Sequence, residues 1–113
     1  MTGGSGFLGK RVIEALAARG VPVVALARSD KAAATVTAAG ATAARGDLQD
    51  EAAMAAGMAG CDVVVHAAAT VDDHGTLAEF MAINAGGTKH ALAAARTAGV
   101  KRFVHISTEA VLV

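Results

Sequence analysis

Gly3, Gly6 and Gly9 stand at the spacing G-x-x-G-x-x-G at the head of the chain, in Thr2-Gly3-Gly4-Ser5-Gly6-Phe7-Leu8-Gly9. A helical pattern over 7–19 comes directly after, with Val12, Ile13 and Leu16 on one face and Gly20 as its stop. In such a turn the first glycine permits a tight exit from a strand. The second lets backbone approach a phosphate, and the third lets helix and sheet pack closely. The helix N-terminus then offers free N–H groups to an anion. Glycine-rich turns also serve as ordinary connections, so the triplet gains meaning only from the rest of the chain.

Beyond the first helix, short β-branched runs alternate with longer alanine-rich stretches. Residues 21–27 predict a continuously apolar strand, as expected for one buried on both faces, with Pro22 tolerated at its start. Ser29 or Asp30 caps a helix reaching Ala39, and Gly40 closes it. Residues 41–47 are a weak strand, 50–58 a short helix, and 62–68 the clearest strand in the chain. Residues 76–98 are helical, with Gly86 and Gly87 expected to interrupt them; Gly99 ends the helix and 101–107 form the last strand. This order predicts one α/β domain over 1–113, with a doubly wound parallel sheet of the Rossmann type covered by helices.

Composition narrows the class. Hydrophobic residues make up 54% of the 113, but 30 are alanine, only three are Phe, and there is no Trp or Tyr. Alanine buries little area, so the core is expected to rest on Val, Leu and Ile. Ten basic and ten acidic side chains cancel, which gives no electrostatic case for nucleic acid or an anionic membrane. Cys61 is the single cysteine and has no internal partner, which fits a reducing cytoplasm. No apolar run approaches the ~18 residues of a membrane span, and no signal-peptide pattern is present. A cytoplasmic chain is the expectation.

The end of the 21–27 strand carries a second clue. In dinucleotide-binding sheets an acidic side chain at this place binds the adenosine ribose 2′-hydroxyl. Here the place holds Ala27, followed by Arg28. A small residue removes the carboxylate that would repel a 2′-phosphate, and a guanidinium binds that phosphate through parallel hydrogen bonds. NADP is therefore expected over NAD. The competing reading is a solvated Arg28 paired with nearby Asp30.

With these motifs in order, the chain resembles the extended short-chain dehydrogenase/reductase family, the NAD(P)-dependent epimerases and dehydratases, over nearly its whole length. Thr2 to Gly9 is similar to the family's TGGxGFLG turn, which implies cofactor contacts from Gly3, Gly6, Phe7, Leu8 and Gly9. Gly46-Asp47-Leu48 resembles the acidic position after the third strand, where Asp47 would accept from the adenine amino group. His66-Ala67-Ala68-Ala69 resembles the H-x-A-A segment whose backbone lines the cofactor, and Asn84 stands in a segment like the family's N-V-x-G-T. Arg102 to Thr108 resembles the strand that ends in the active-site serine/threonine pair. The resemblance implies a hydroxyl there, Thr108 or its neighbour Ser107, hydrogen-bonded to the substrate oxygen, with a downstream tyrosine and lysine as acid/base. Glu109 to Val113 departs from the V-Y-G segment of sugar-nucleotide enzymes and looks more like the dihydroflavonol-reductase and 3β-hydroxysteroid-dehydrogenase branch.

Two departures from the family pattern set further expectations. Its apolar first strand, which leads into the glycine turn and holds the centre of the sheet, is absent, so the strands over 21–27 and 62–68 are expected to lack a neighbour. The chain is accordingly read as part of a longer one. The family's Y-x-x-x-K and substrate lobe are also absent, so these residues are expected to bind cofactor without turnover. The alternative reading is a non-catalytic NADP sensor of the NmrA-like kind, which needs no Tyr/Lys pair. His66, His74, His90 and His105 lack ligand spacing and predict no metal site. Asp72-Asp73-His74 reads as a solvated loop, Cys61 as structural, and Met54 and Met58 as helix packing.

Overall fold

The computed structural model describes residues 1–68, 78 and 81–106. Asp72, Asp73, His74, Ser107 and Thr108 lie outside the described residues. The elements match the expected alternation: α1 (Phe7–Ala18), β1 (Val24–Ala27), α2 (Asp30–Ala39), β2 (Thr42–Arg45), α3 (Glu51–Met58), β3 (Val63–His66), α4 (Gly87–Ala98) and β4 (Arg102–His105). Each strand is four residues long, shorter than the span expected for it. Hydroxyl and carboxylate caps fix two helix starts: Ser29 Oγ accepts from Ala32 N–H at 3.1 Å, and Asp50 Oδ1 accepts from Ala53 N–H at 3.0 Å.

The expected break at Gly86 and Gly87 does not occur. Met81–Gly86 forms a π-helical turn that runs into α4, and Gly86 keeps right-handed helical angles, φ −64° and ψ −45°. A helical glycine costs about 1 kcal/mol against alanine. Packing decides the matter: a Cβ on Gly87 would lie 3.1 Å from Leu48 Cδ1, so glycine lets the helix close down on the loop after β2.

All pairings are parallel. β1 pairs with β2, Val24 opposite Thr42, and β3 with β4, Val63 opposite Arg102. Between these two-stranded halves lies the central place of the sheet. Met1 and Thr2 occupy it. Met1 N donates to Val24 O at 2.6 Å and Leu26 N–H to Met1 O at 2.8 Å; on the other side Thr2 N–H donates to Val65 O at 3.0 Å and Ala67 N–H to Thr2 O at 3.3 Å. Two residues thus bond to both halves and set the order β2-β1-(Met1–Thr2)-β3-β4. The expectation of two unpaired inner edges is corrected at this end of the slot. Below it a small apolar cavity of about 30 Å³ remains, lined by Val24, Met54, Met58, Cys61 and Val64 among others.

The pleat of β1 directs alternate side chains to opposite faces. Ala25 and Ala27 enter one core with Ile13, Val23, Val36, Ala39 and Ala41, under α1 and α2. Leu26 packs against the other, built from Met54, Met58, Val64, Ala91, Ala94 and Ala95 under α3 and α4. This is the doubly wound arrangement, one helical layer on each side. The core differs from expectation in kind. No leucine among the described residues is buried, and alanines and the two methionines fill most buried positions. Small side chains let helices sit close to the sheet, and flexible thioethers fill what is left. Among the described residues no helix is long and apolar enough to cross a membrane.

Ile13 is 0% exposed, at the junction of α1, α2 and the glycine turn. Ile13→Ala is expected to destabilise the chain by about 2–5 kcal/mol, read as a lower urea midpoint at unchanged slope.

Candidate nucleotide-binding cleft

The glycine turn is shaped by close contacts rather than by flexibility. Gly3 has φ +70°, and a Cβ there would come within 2.6 Å of Ala67 C and Ala68 N, so the turn lies directly on the end of β3. A Cβ on Gly9 would stand 1.9 Å from Gly3 O, which means that the first turn of α1 is packed against the loop it leaves. Gly4, whose need to be glycine the spacing does not display, would meet Ile13 Cδ1 at 2.8 Å. Gly6 is different. It is the N-cap of α1, extended at φ −79° and ψ 174°, and its added Cβ would meet only Gly3 O at 3.4 Å. No side chain caps α1 and its first turn holds no acid, so its N-terminal N–H groups and positive dipole end are unshielded.

This helix end opens on a cleft of about 320 Å³ at the C-terminal ends of β1, β2 and β3. Gly3, Gly6, Arg28, Asp47, Leu48, Ala67 and Ala68 all line it, so the structure brings together most of the residues singled out in the sequence. Asp47 Oδ1 accepts from Gln49 N–H at 3.0 Å, which holds its carboxylate at the mouth of the loop after β2. The pairing in the competing reading of Arg28 is corrected, although Arg28 itself is exposed, as that reading has it. Asp30 pairs instead with Arg45, 2.6 Å away, and among the described residues Arg28 makes no ion pair. Both Arg45 and Asp30 are well exposed, so their pair contributes little stability.

His66 lies beneath the cleft rather than on it. It is 0% exposed, although its neighbours Ala67 and Ala68 line the wall. Its Nδ1 is 2.6 Å from Thr2 Oγ1 and its Nε2 is 3.0 Å from Thr88 Oγ1. Thr2 Oγ1 also accepts from Ala68 N–H at 3.2 Å, and Thr88 Oγ1 donates to Asn84 O at 2.7 Å. Burial lowers the imidazole pKa below its usual value, and the facing His105 and the N-terminal amino group of Met1 act in the same direction. Thr2 and Thr88 are site-building residues that sequence reasoning missed. The signal that could have found them was position: Thr2 directly precedes Gly3, and Thr88 stands four residues, about one helical turn, after Asn84.

The remaining predicted residues sit elsewhere. Phe7 is 85% exposed and Leu8 about half exposed on the first turn of α1, neither on the cleft wall. Gly9 is buried behind the turn. Asn84 lies in the π-helical turn, where its carbonyl receives Thr88. No group of three His, Cys, Asp or Glu suited to a metal occurs among the described residues.

The two outer glycines predict different losses. Gly9→Ala forces a backbone clash and is expected to lower the melting temperature sharply. Gly6→Ala meets only a 3.4 Å contact with Gly3 O and is expected to stay within about 1 kcal/mol of the parent. Thermal melts of both variants check this.

The sequence profile described as the NAD dependent epimerase/dehydratase family matches residues 1–112. A 4-hydroxy-2-methyl-3-oxo-4-farnesyl-3,4-dihydroquinoline-1-oxide ketoreductase of Stigmatella aurantiaca is 52% identical over 99% of this chain and 34% of its own length. A decarboxylating sterol-4-alpha-carboxylate 3-dehydrogenase of Dictyostelium discoideum is 35% identical over 99% of this chain and 35% of its own length. Among solved structures, a UDP-glucose-4-epimerase from Stenotrophomonas maltophila with bound NAD and formylated UDP-arabinopyranose superposes with a TM-score of 0.81 at 27% identity, covering 97% of this chain and 36% of that one. An NADPH-dependent quinone oxidoreductase from Escherichia coli complexed with NADPH gives 0.72 at 29% identity, over 92% of this chain and 34% of that one. The chain spans about a third of the length of these relatives. With that profile matched over residues 1–112, the chain belongs to the NAD-dependent epimerase/dehydratase family of extended short-chain dehydrogenases/reductases.

Proposed function

We propose that the cleft holds the adenosine and pyrophosphate portion of a nicotinamide dinucleotide, with NADP preferred, in an oxidoreductase that reduces or oxidises a bulky apolar carbonyl or alcohol. The observation that carries the reading is the uncapped N-terminus of α1 opening, through Gly3 and Gly6, on a cleft that also contains Arg28 and Asp47. The residues fit the group. The close backbone approach at the turn leaves room for a pyrophosphate where side chains would stand. Arg28, free of Asp30, suits a 2′-phosphate through its fork of donors, and Asp47 suits the adenine amino group as acceptor.

The nicotinamide, when bound, supplies or takes the hydride. This chain's contribution is binding and orientation. Ala67 and Ala68 form the wall beside the turn, and Thr108, or its neighbour Ser107, is assigned to hold the substrate oxygen. A ketone or alcohol substrate is favoured over a sugar nucleotide by the departure of Glu109 to Val113 from the sugar-nucleotide pattern. The Stigmatella ketoreductase is a 52% identical relative of that kind.

Arg28→Ala tests the nucleotide choice directly. A charge-assisted guanidinium–phosphate contact is worth about 1.5–3 kcal/mol, or about 10- to 100-fold in affinity. NADP affinity is therefore expected to fall by that factor while NAD affinity changes by less than about threefold. Equal loss for both dinucleotides would remove Arg28 from the 2′-phosphate site.

A further inference from the structure

His66 is held between hydroxyl groups whose protons are already placed. Thr88 gives its only hydroxyl proton to Asn84 O at 2.7 Å, so toward His66 it has only lone pairs. At 3.0 Å, Nε2 must then carry a proton and donate to Thr88 Oγ1, because two facing lone pairs at this distance would repel. On the other side Thr2 Oγ1 already accepts from Ala68 N–H, and its own proton points along the 2.6 Å contact to Nδ1. The chain of donors is complete and directed. Ala68 N–H donates to Thr2, Thr2 to Nδ1, Nε2–H to Thr88, and Thr88 to Asn84 O.

An imidazole protonated on Nδ1 alone breaks this order at Thr88. A doubly protonated one leaves the Thr2 hydroxyl proton without an acceptor where Thr2 is 2% and His66 0% exposed. Among the described residues, the titratable groups acting on the ring are His105 from β4, with ring centroids 5.7 Å apart, and the Met1 amino group from the central slot. Phe103 of β4 adds an apolar neighbour at 5.8 Å, and α4 faces the ring with the neutral Thr88. Among the described residues, no acidic group acts on this ring.

The relay connects three parts of the site. Thr2 is the residue before Gly3, Ala68 lies on the cleft wall, and Thr88 caps back onto the turn of helix that contains Asn84. We propose that His66 is a positioning residue for dinucleotide binding: as a neutral imidazole protonated on Nε2, it fixes the glycine turn against the helix carrying Asn84. This rests on the assignment of the cleft to a dinucleotide. Burial and the two basic neighbours depress the folded-state pKa, so protons bind the unfolded state more readily. The stabilisation is therefore fully present above about pH 6.5, the unfolded value, and is lost as pH falls through the folded one.

Three measurements on the chain decide the proposal. Two-bond proton–nitrogen spectra at neutral pH are expected to show Nδ1 of His66 bare and Nε2 protonated; a proton on Nδ1 overturns it. The chain is expected to lose stability between pH 7 and pH 5, read as a lower urea midpoint at pH 5. His66→Gln, which retains a donor near the Nε2 position, is expected to remove most of that pH dependence, whereas His105→Gln retains it. An unchanged pH profile in His66→Gln overturns the role. Thr2→Val is expected to weaken NAD binding by about tenfold, the equivalent of one buried hydrogen bond, and Thr2→Ser to restore it. Equal affinity of Thr2→Val and Thr2→Ser also overturns the role. Failure of the unaltered chain to bind either dinucleotide at neutral pH would instead overturn the assignment of the cleft itself, and the positioning role with it.

Discussion

The structure depends on a backbone contact only two residues long. Met1 and Thr2 make four hydrogen bonds, two to β1 and its flank and two to β3 and its flank, and so hold together halves that otherwise pair only within themselves. Each such bond contributes on the order of 1 kcal/mol net, against a total stability for small domains of about 5–15. The same two residues lead directly into Gly3. The segment that joins the sheet therefore also aims the glycine turn at the cleft, and Thr2 carries its hydroxyl to the buried histidine.

This constraint sets the electrostatic character of the site. The cleft wall is mostly backbone and small side chains, and it lies under the positive end of α1. Its charged residues are few and separated: Arg28 after β1 and Asp47 after β2. Asp30, the first residue of α2, pairs with Arg45, the last residue of β2. Strand register makes this possible. Ala27 stands opposite Arg45, which brings a residue 15 positions further along the sequence within reach of the start of α2.

The alanine-rich composition acquires a physical meaning in the packing. Ala25 and Ala27 on β1 lie under α1 and α2, and Ala91, Ala94 and Ala95 on α4 face β3 and α3. These small contacts allow two close helical layers in a short chain. They also place Gly87 against Leu48, so the helix after the π-turn buttresses the loop that bears Asp47. Gly87, read as part of a helix break, is in fact a packing contact.

Much of this was legible in order and spacing. The glycine triplet, the strand ending at Ala27-Arg28, the Gly46-Asp47-Leu48 and His66-Ala67-Ala68 segments, and the caps at Ser29, Gly40 and Gly99 are local signals. Turn chemistry and helix capping depend on neighbours within a few residues, so sequence alone determined the alternation of elements, the fold class and most of the cleft wall. Other features depend on contacts between residues far apart in the chain. Only the tertiary structure decided that Met1 and Thr2 span the sheet, that Asp30 chooses Arg45 over Arg28, and that Gly86 and Gly87 stay helical. The same holds for His66, which spacing presented as a cofactor contact and burial revealed as the centre of a hydrogen-bonded relay from Thr2 to Thr88. The orientation of a buried polar group is set by every donor and acceptor that packing brings to it, and the linear sequence does not display that set.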